Sequence, residues 1–78
     1  MDYSEWMIKA LNSIRNLQNG ALFTVKQLFE GVEWNRLRKG DRIQFGKYFK
    51  NEVELGKVHG VVYSGKAVNN SAQYIKSV

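Results

Sequence analysis

At 100° per residue, Gln44, Lys47, Tyr48 and Asn51 project to one side of a helix, with Lys50 close by in the chain. Side chains of these types have a recognisable use against nucleic acid. Ammonium groups neutralise phosphates, and the amide of Gln44 or Asn51 can bridge the edge of an adenine. The competing account is a solvated helix face in which Lys50 pairs with Glu54 one turn on. No arginine stands on this face to grip guanine, because Arg42 projects with Gly46, Phe49 and Val53 to the opposite, inward side. Backbone or shape reading is therefore expected over base-specific reading. An unpaired inward guanidinium is costly, so Arg42 is expected to pair with Glu30, Glu33 or a carbonyl.

Cations also flank that helix. Arg36, Arg38 and Lys39 precede it closely, where they either grip a backbone or keep a connector solvated. Beyond the helix come Lys57 and then Lys66, which shares a polar hairpin tip with Asn69, Asn70 and Ser71. Such a tip either enters a minor groove or lies along phosphates, or is an ordinary solvated loop. Tyr63 and Tyr74 can stack unpaired bases, but cross-strand pairing over a sheet is the favoured account. Trp6 and Trp34 are expected in the core or at its rim, and an exposed Trp34 would mark a protein interface.

Catalysis has little to rest on. His59 is the only histidine, cysteine is absent, and no Walker loop, nucleophile elbow or paired-carboxylate site is present. A non-enzymatic protein with no cofactor and no metal is expected.

The charge is unevenly spread. From Asn35 to Val78 nine cations face three anions, a balance of +6, whereas Met1 to Trp34 balances at −1. A polyanion is the simplest partner for such a segregation. Seventy-eight residues predict a single domain over 1–78, and 44% hydrophobic content with 13% aromatic predicts a folded globule. The lack of cysteine fits a reducing compartment. The longest apolar runs, such as Ala21 to Phe23, are three residues, so neither a signal peptide nor a membrane span is expected and a cytoplasmic location is.

The spacing of apolar and capping residues defines the elements that must position these side chains. Met7, Ala10, Leu11, Ile14 and Leu17 form one apolar stripe on a first helix capped by Ser4 and stopped at Asn19-Gly20. Ala21 to Phe23 form a short strand, and Thr24 with Gln27 makes a capping box opening a second helix that ends near Glu30-Gly31. Trp34 and Leu37 lie in a connector. A third helix runs from Lys39-Gly40-Asp41 to Leu55-Gly56, then a strand at Val58 to Tyr63, a loop at Ser64 to Ser71 and a strand at Ala72 to Lys76. This order predicts an α+β, winged helix-turn-helix-like fold: three helices, with the short strand completing a sheet on a C-terminal β-hairpin wing.

The run WNRLRKGDRIQFGKYFKNEVELG from Trp34 to Gly56, together with Asn70-Ser71-Ala72-Gln73-Tyr74, resembles a family of domains of unknown function found in small proteins of Gram-positive phages and other mobile elements. The resemblance starts at about Leu17, and its markers are Trp34, Leu37, Gly40, Arg42, Gly46, Phe49, Val53, Gly56, Ser71 and Tyr74. It implies a winged-helix-like module in the DNA transactions of a mobile element, with no catalytic residue to carry over. One departure is visible: the family often has proline just before the third helix, where this chain has Arg38.

The expected function is a nucleic-acid-binding module, with DNA favoured and single strands possible, acting in replication or regulation as a monomer or homodimer. The expected contacts are Arg36, Arg38, Lys39, Gln44, Lys47, Tyr48, Lys50, Asn51, Lys57, Lys66, Asn69 and Asn70. The alternative is an adaptor docking on a replication or recombination enzyme through the first helix and Trp34. No membrane contact is expected.

Overall fold

A computed structural model describes residues 3–67 and 71–77. Helix α1 spans Tyr3–Arg15 and turns Ala10 and Ile14 fully inward. The helix is already formed at Tyr3, one residue before the expected cap at Ser4, and the Tyr3 ring stacks on Tyr48 at 4.9 Å. At the other end the ammonium of Lys76 donates to the carbonyls of Arg15 and Leu17, at 3.1 and 2.6 Å. A cation placed there satisfies carbonyls that the helix leaves open.

Strand β1 is Leu22–Thr24. The reach-back expected of the capping box is present, since the Thr24 N–H donates to Gln27 Oε1 at 2.9 Å. The box opens only a single 3-10 turn, Val25–Leu28, and not the expected helix. The second helix, α2, lies further on, at Gly31–Arg36, in place of the expected connector. Gly31 opens this helix, although its sequence context marks the end of one. The reason is tertiary: Trp34 is only 7% exposed and stacks on Phe29 with centroids 5.5 Å apart, which fixes this turn of chain against the core.

Helix α3 covers Lys39–Glu54 and buries Phe45, Phe49 and Val53. Its end is a Schellman arrangement: Gly56 at φ +76° donates to Val53 O, and Lys57 donates to Glu52 O, both at 3.0 Å. The contact that commonly joins these positions is apolar; here it is an ion pair, Lys57 to Glu52 at 3.8 Å.

Strands β2 (Val61–Lys66) and β3 (Ala72–Lys76) form the hairpin, and β1 pairs on the far side of β3, giving an antiparallel sheet in the order β1-β3-β2. The expected pairing of the short strand with the hairpin is therefore present. Phe23, Tyr74 and Tyr63 stand opposite one another across the three strands and face the helices. Tyr63 and Tyr74 are thus cross-strand partners, with centroids 5.8 Å apart. β2 begins three residues later than expected and runs to Lys66. Between Tyr63 and Lys66 the register slips, because three steps on β2 match two on β3, and Gly65 takes φ +97° there. Lys66 consequently pairs with Ala72, on the side of Tyr74 and α3. Without the slip, three regular steps from Tyr63 would turn it outward with Val62.

The core is a chain of rings. Trp6 meets Phe29, Phe29 meets Phe45, Phe45 meets Phe49, and Phe49 meets Tyr74, with centroids 4.8 to 6.4 Å apart. The architecture is mixed α+β, three α-helices and a three-stranded antiparallel sheet among the described residues. No described helix is long and apolar enough to cross a membrane.

Candidate nucleic-acid interface

α3 and the hairpin do not close completely on each other, and a groove of about 460 Å³ remains between them. Arg42, Gly46, Lys47 and Lys50 form its wall on α3, Lys66 and Ser71 form the facing wall, and Lys26 stands where β1 passes into the 3-10 turn. Trp34 and Tyr74, both buried, lie at its base. Five cations from three segments thus meet on one groove, and no carboxylate lines it among the described residues. Cations gathered in one groove raise its positive potential, which attracts anions.

The five differ in how they are engaged. The Lys50 ammonium sits 4.6 Å from the Tyr63 ring centroid and 3.9 Å from Glu54, the pairing the sequence suggests. Both members of that pair are well exposed, so it contributes roughly a few tenths of a kcal/mol. Lys26, Lys47 and Lys66 form no ion pair with any described residue. Arg42 is not paired as expected: Glu33 is taken by Lys9 at 2.8 Å, and Arg42 Nε is buried with no hydrogen-bond partner.

Gly46 is the other unusual feature. A glycine inside a helix costs about 0.5–1 kcal/mol relative to alanine. Packing does not require it, because a Cβ there would meet nothing within 4 Å. Its effect is to leave the groove wall bare beside Arg42.

Of the expected contacts, Lys47, Lys50 and Lys66 come together in the groove. Gln44 and Asn51 are exposed on the solvent face of α3 beside it, and Arg36, Arg38 and Lys39 are exposed at the junction of α2 and α3, outside its lining. Two of the expected contacts stand away from the groove. Tyr48 is half-buried, stacked on Tyr3 and packed on Phe45, and Glu52 holds its phenol above the ordinary pKa by hydrogen bonding, with burial adding to the shift. It belongs to the α1–α3 contact. Lys57 is bound to Glu52 and lines a different hollow with Arg15, His59 and Lys76, near the end of α1. Asn69 and Asn70 lie outside the described residues. Trp34, being buried, offers no protein-docking surface, and the apolar stripe of α1 is occupied by the core.

Two groove cations are not evident from the sequence. Lys26 sits in the half of the chain with no net positive charge, so its contribution depends on the β1–β3 pairing. Arg42 projects inward, and helical projection alone does not separate the core from a groove at its edge. Among the described residues there is no cluster of histidine and carboxylate side chains able to hold a metal ion.

No curated protein and no solved structure matches the chain. A family match does exist, and it reaches back to residue 8, taking in most of α1 and more of the chain than the resemblance from Leu17 suggests. Over residues 8–76 the chain matches the family described as a domain of unknown function (DUF1413), and it belongs to that family.

Proposed function

We propose that this protein is a non-catalytic nucleic-acid-binding module, with DNA the favoured ligand, and that the α3–hairpin groove is where the backbone lies. One observation carries the reading: Lys26, Arg42, Lys47, Lys50 and Lys66 line a single groove, and no described carboxylate is among the residues lining it. In this reading the fold is a winged helix, α3 is the helix laid against the ligand, and the hairpin is the wing. The groove presents charge and few base-reading groups, which favours backbone or shape recognition. A role in replication or regulation of a phage or other mobile element is the setting the family resemblance suggests.

Fluorescence anisotropy with labelled single- and double-stranded oligonucleotides at two salt concentrations tests it. Binding that weakens steeply with salt is expected. A flat signal for both ligands at low salt refutes the reading.

A second reading, an adaptor for a replication or recombination enzyme, is favoured by a separate feature. Leu22, Ile75 and Val62 align across the outer face of the sheet, and Leu22 and Val62 are more than half exposed. Val62→Lys would abolish co-purification with such an enzyme and leave oligonucleotide binding unchanged. Binding lost for both, or for neither, contradicts it.

A further inference from the structure

Arg42 and Gly46 stand four residues apart on the same flank of α3, and each lacks an explanation within the fold. Arg42 keeps a buried Nε without a hydrogen-bond partner, and no carboxylate meets it among the described residues. An unmet donor on a guanidinium is costly to bury. Gly46 gives up helix propensity where nothing crowds it. A single ligand accounts for both. The planar guanidinium presents paired N–H donors that match two oxygens of a phosphate, and a bare helix turn lets that phosphate and its attached sugar come close to the backbone.

We infer that Arg42 and Gly46 form a phosphate seat within the groove, in which Arg42 donates through Nε and a terminal nitrogen to one phosphate and Gly46 provides the clearance. The inference rests on reading the groove as an anion surface and adds the group it recognises and the residues that do so. The phosphate belongs either to a strand backbone or to a free phosphate compound. Lys47 and Lys66 on the two walls extend the site to neighbouring negative charges. The groove volume of about 460 Å³ lies within the range of small-ligand sites, which leaves room for a nucleotide unit around the seated group.

The test uses the full chain labelled with 15N and two variants, Arg42→Lys and Gly46→Ala, titrated with a ten-residue oligothymidylate and, separately, with inorganic pyrophosphate. In the wild type the Arg42 Nε–H resonance shifts on binding. Arg42→Lys retains the charge and loses the paired donors, so affinity falls roughly tenfold while the salt dependence stays the same. Gly46→Ala raises the melting temperature and lowers affinity several-fold, a combination that a purely structural glycine would not give. Should Arg42→Lys fail to fold, the wild-type Nε–H signal and Gly46→Ala still decide the matter. An oligonucleotide that binds the wild type without moving the Nε–H signal, and binds both variants equally well, overturns the seat and leaves the nucleic-acid reading intact. Pyrophosphate that moves the signal while no oligonucleotide binds supports the seat, assigns it to a free phosphate compound and refutes the nucleic-acid reading. Binding of neither probe overturns both.

Discussion

Phe49 on α3 meets Tyr74 on β3 edge to face, with ring centroids 5.0 Å apart and planes at 84°. Neither ring has measurable exposure, and this contact joins the helix that carries half of the groove to the sheet that carries the rest. The geometry of the groove therefore depends on a purely apolar joint. Phe49→Ala should cost about 3–5 kcal/mol, close to the whole stability of many small domains. Tyr74→Phe should be neutral or stabilising by up to about 1 kcal/mol, because the Tyr74 hydroxyl is buried without a partner. Urea denaturation monitored by circular dichroism measures both. A large loss in Tyr74→Phe would mean that the hydroxyl is bonded.

The same residue predicts a pH dependence. Burial, with smaller contributions from Tyr63 and Glu54, pushes the Tyr74 phenol up to about 12 from its ordinary 10.0. The folded state thus disfavours the charged form. Below about pH 10 the phenol is neutral in both states and the stability is fully present. Between 10 and 12 the unfolded chain ionises first and stability falls, by an amount on the order of 2–3 kcal/mol. Denaturation at pH 9 and pH 11.5 should show a smaller loss in Tyr74→Phe than in the wild type. Equal losses would show that other groups dominate.

Arg38 caps α3 at φ −67° and ψ 151°, and Leu37 before it sits at φ −75° and ψ 143°. These are the angles that proline and the residue before it prefer. A proline at position 38 would therefore change the side chain and not the backbone path. Arg38→Pro should stabilise the fold by about 0.4–1 kcal/mol through the unfolded chain. It should scarcely alter oligonucleotide affinity, since Arg38 does not line the groove. A lower melting temperature would contradict the first expectation, and a tenfold weaker complex the second.

Much of this architecture is legible in the residues. The stripe from Met7 to Ile14, the inward run of Phe45, Phe49 and Val53, and the pairing of the short strand with the hairpin are all set by local period and turn chemistry. The failures share a cause, which is contact between segments distant in sequence. Gly31 reads as a stop until Phe29 and Trp34 are seen to stack. Tyr48 reads as a solvent-facing contact until Tyr3 covers it. Lys26 becomes a groove residue only once β1 lies beside β3. The side of the sheet on which Lys66 stands depends on the register slip in the hairpin, which period-two counting does not reveal.

That register slip gives a direct prediction. Inserting an alanine between Ala72 and Gln73 would give β3 the matching third step, restore regular alternation and turn Lys66 to the outer face, away from Arg42 and Lys47. Oligonucleotide binding should weaken, and the slope of log affinity against log salt should fall by about one. Lys66→Ala should reproduce the change in slope. An insertion variant that folds and binds with an unchanged slope would show that the bulge does not serve to aim this lysine.

The most direct measurement is an amide shift map of the 15N-labelled protein on addition of a short oligonucleotide. The largest changes are predicted at Lys26, Arg42, Gly46, Lys47, Lys66 and Ser71, with little at Lys57, His59 and Lys76 around the end of α1. Changes centred on that second group, or none at all at low salt, would contradict the assignment of the groove as the binding surface.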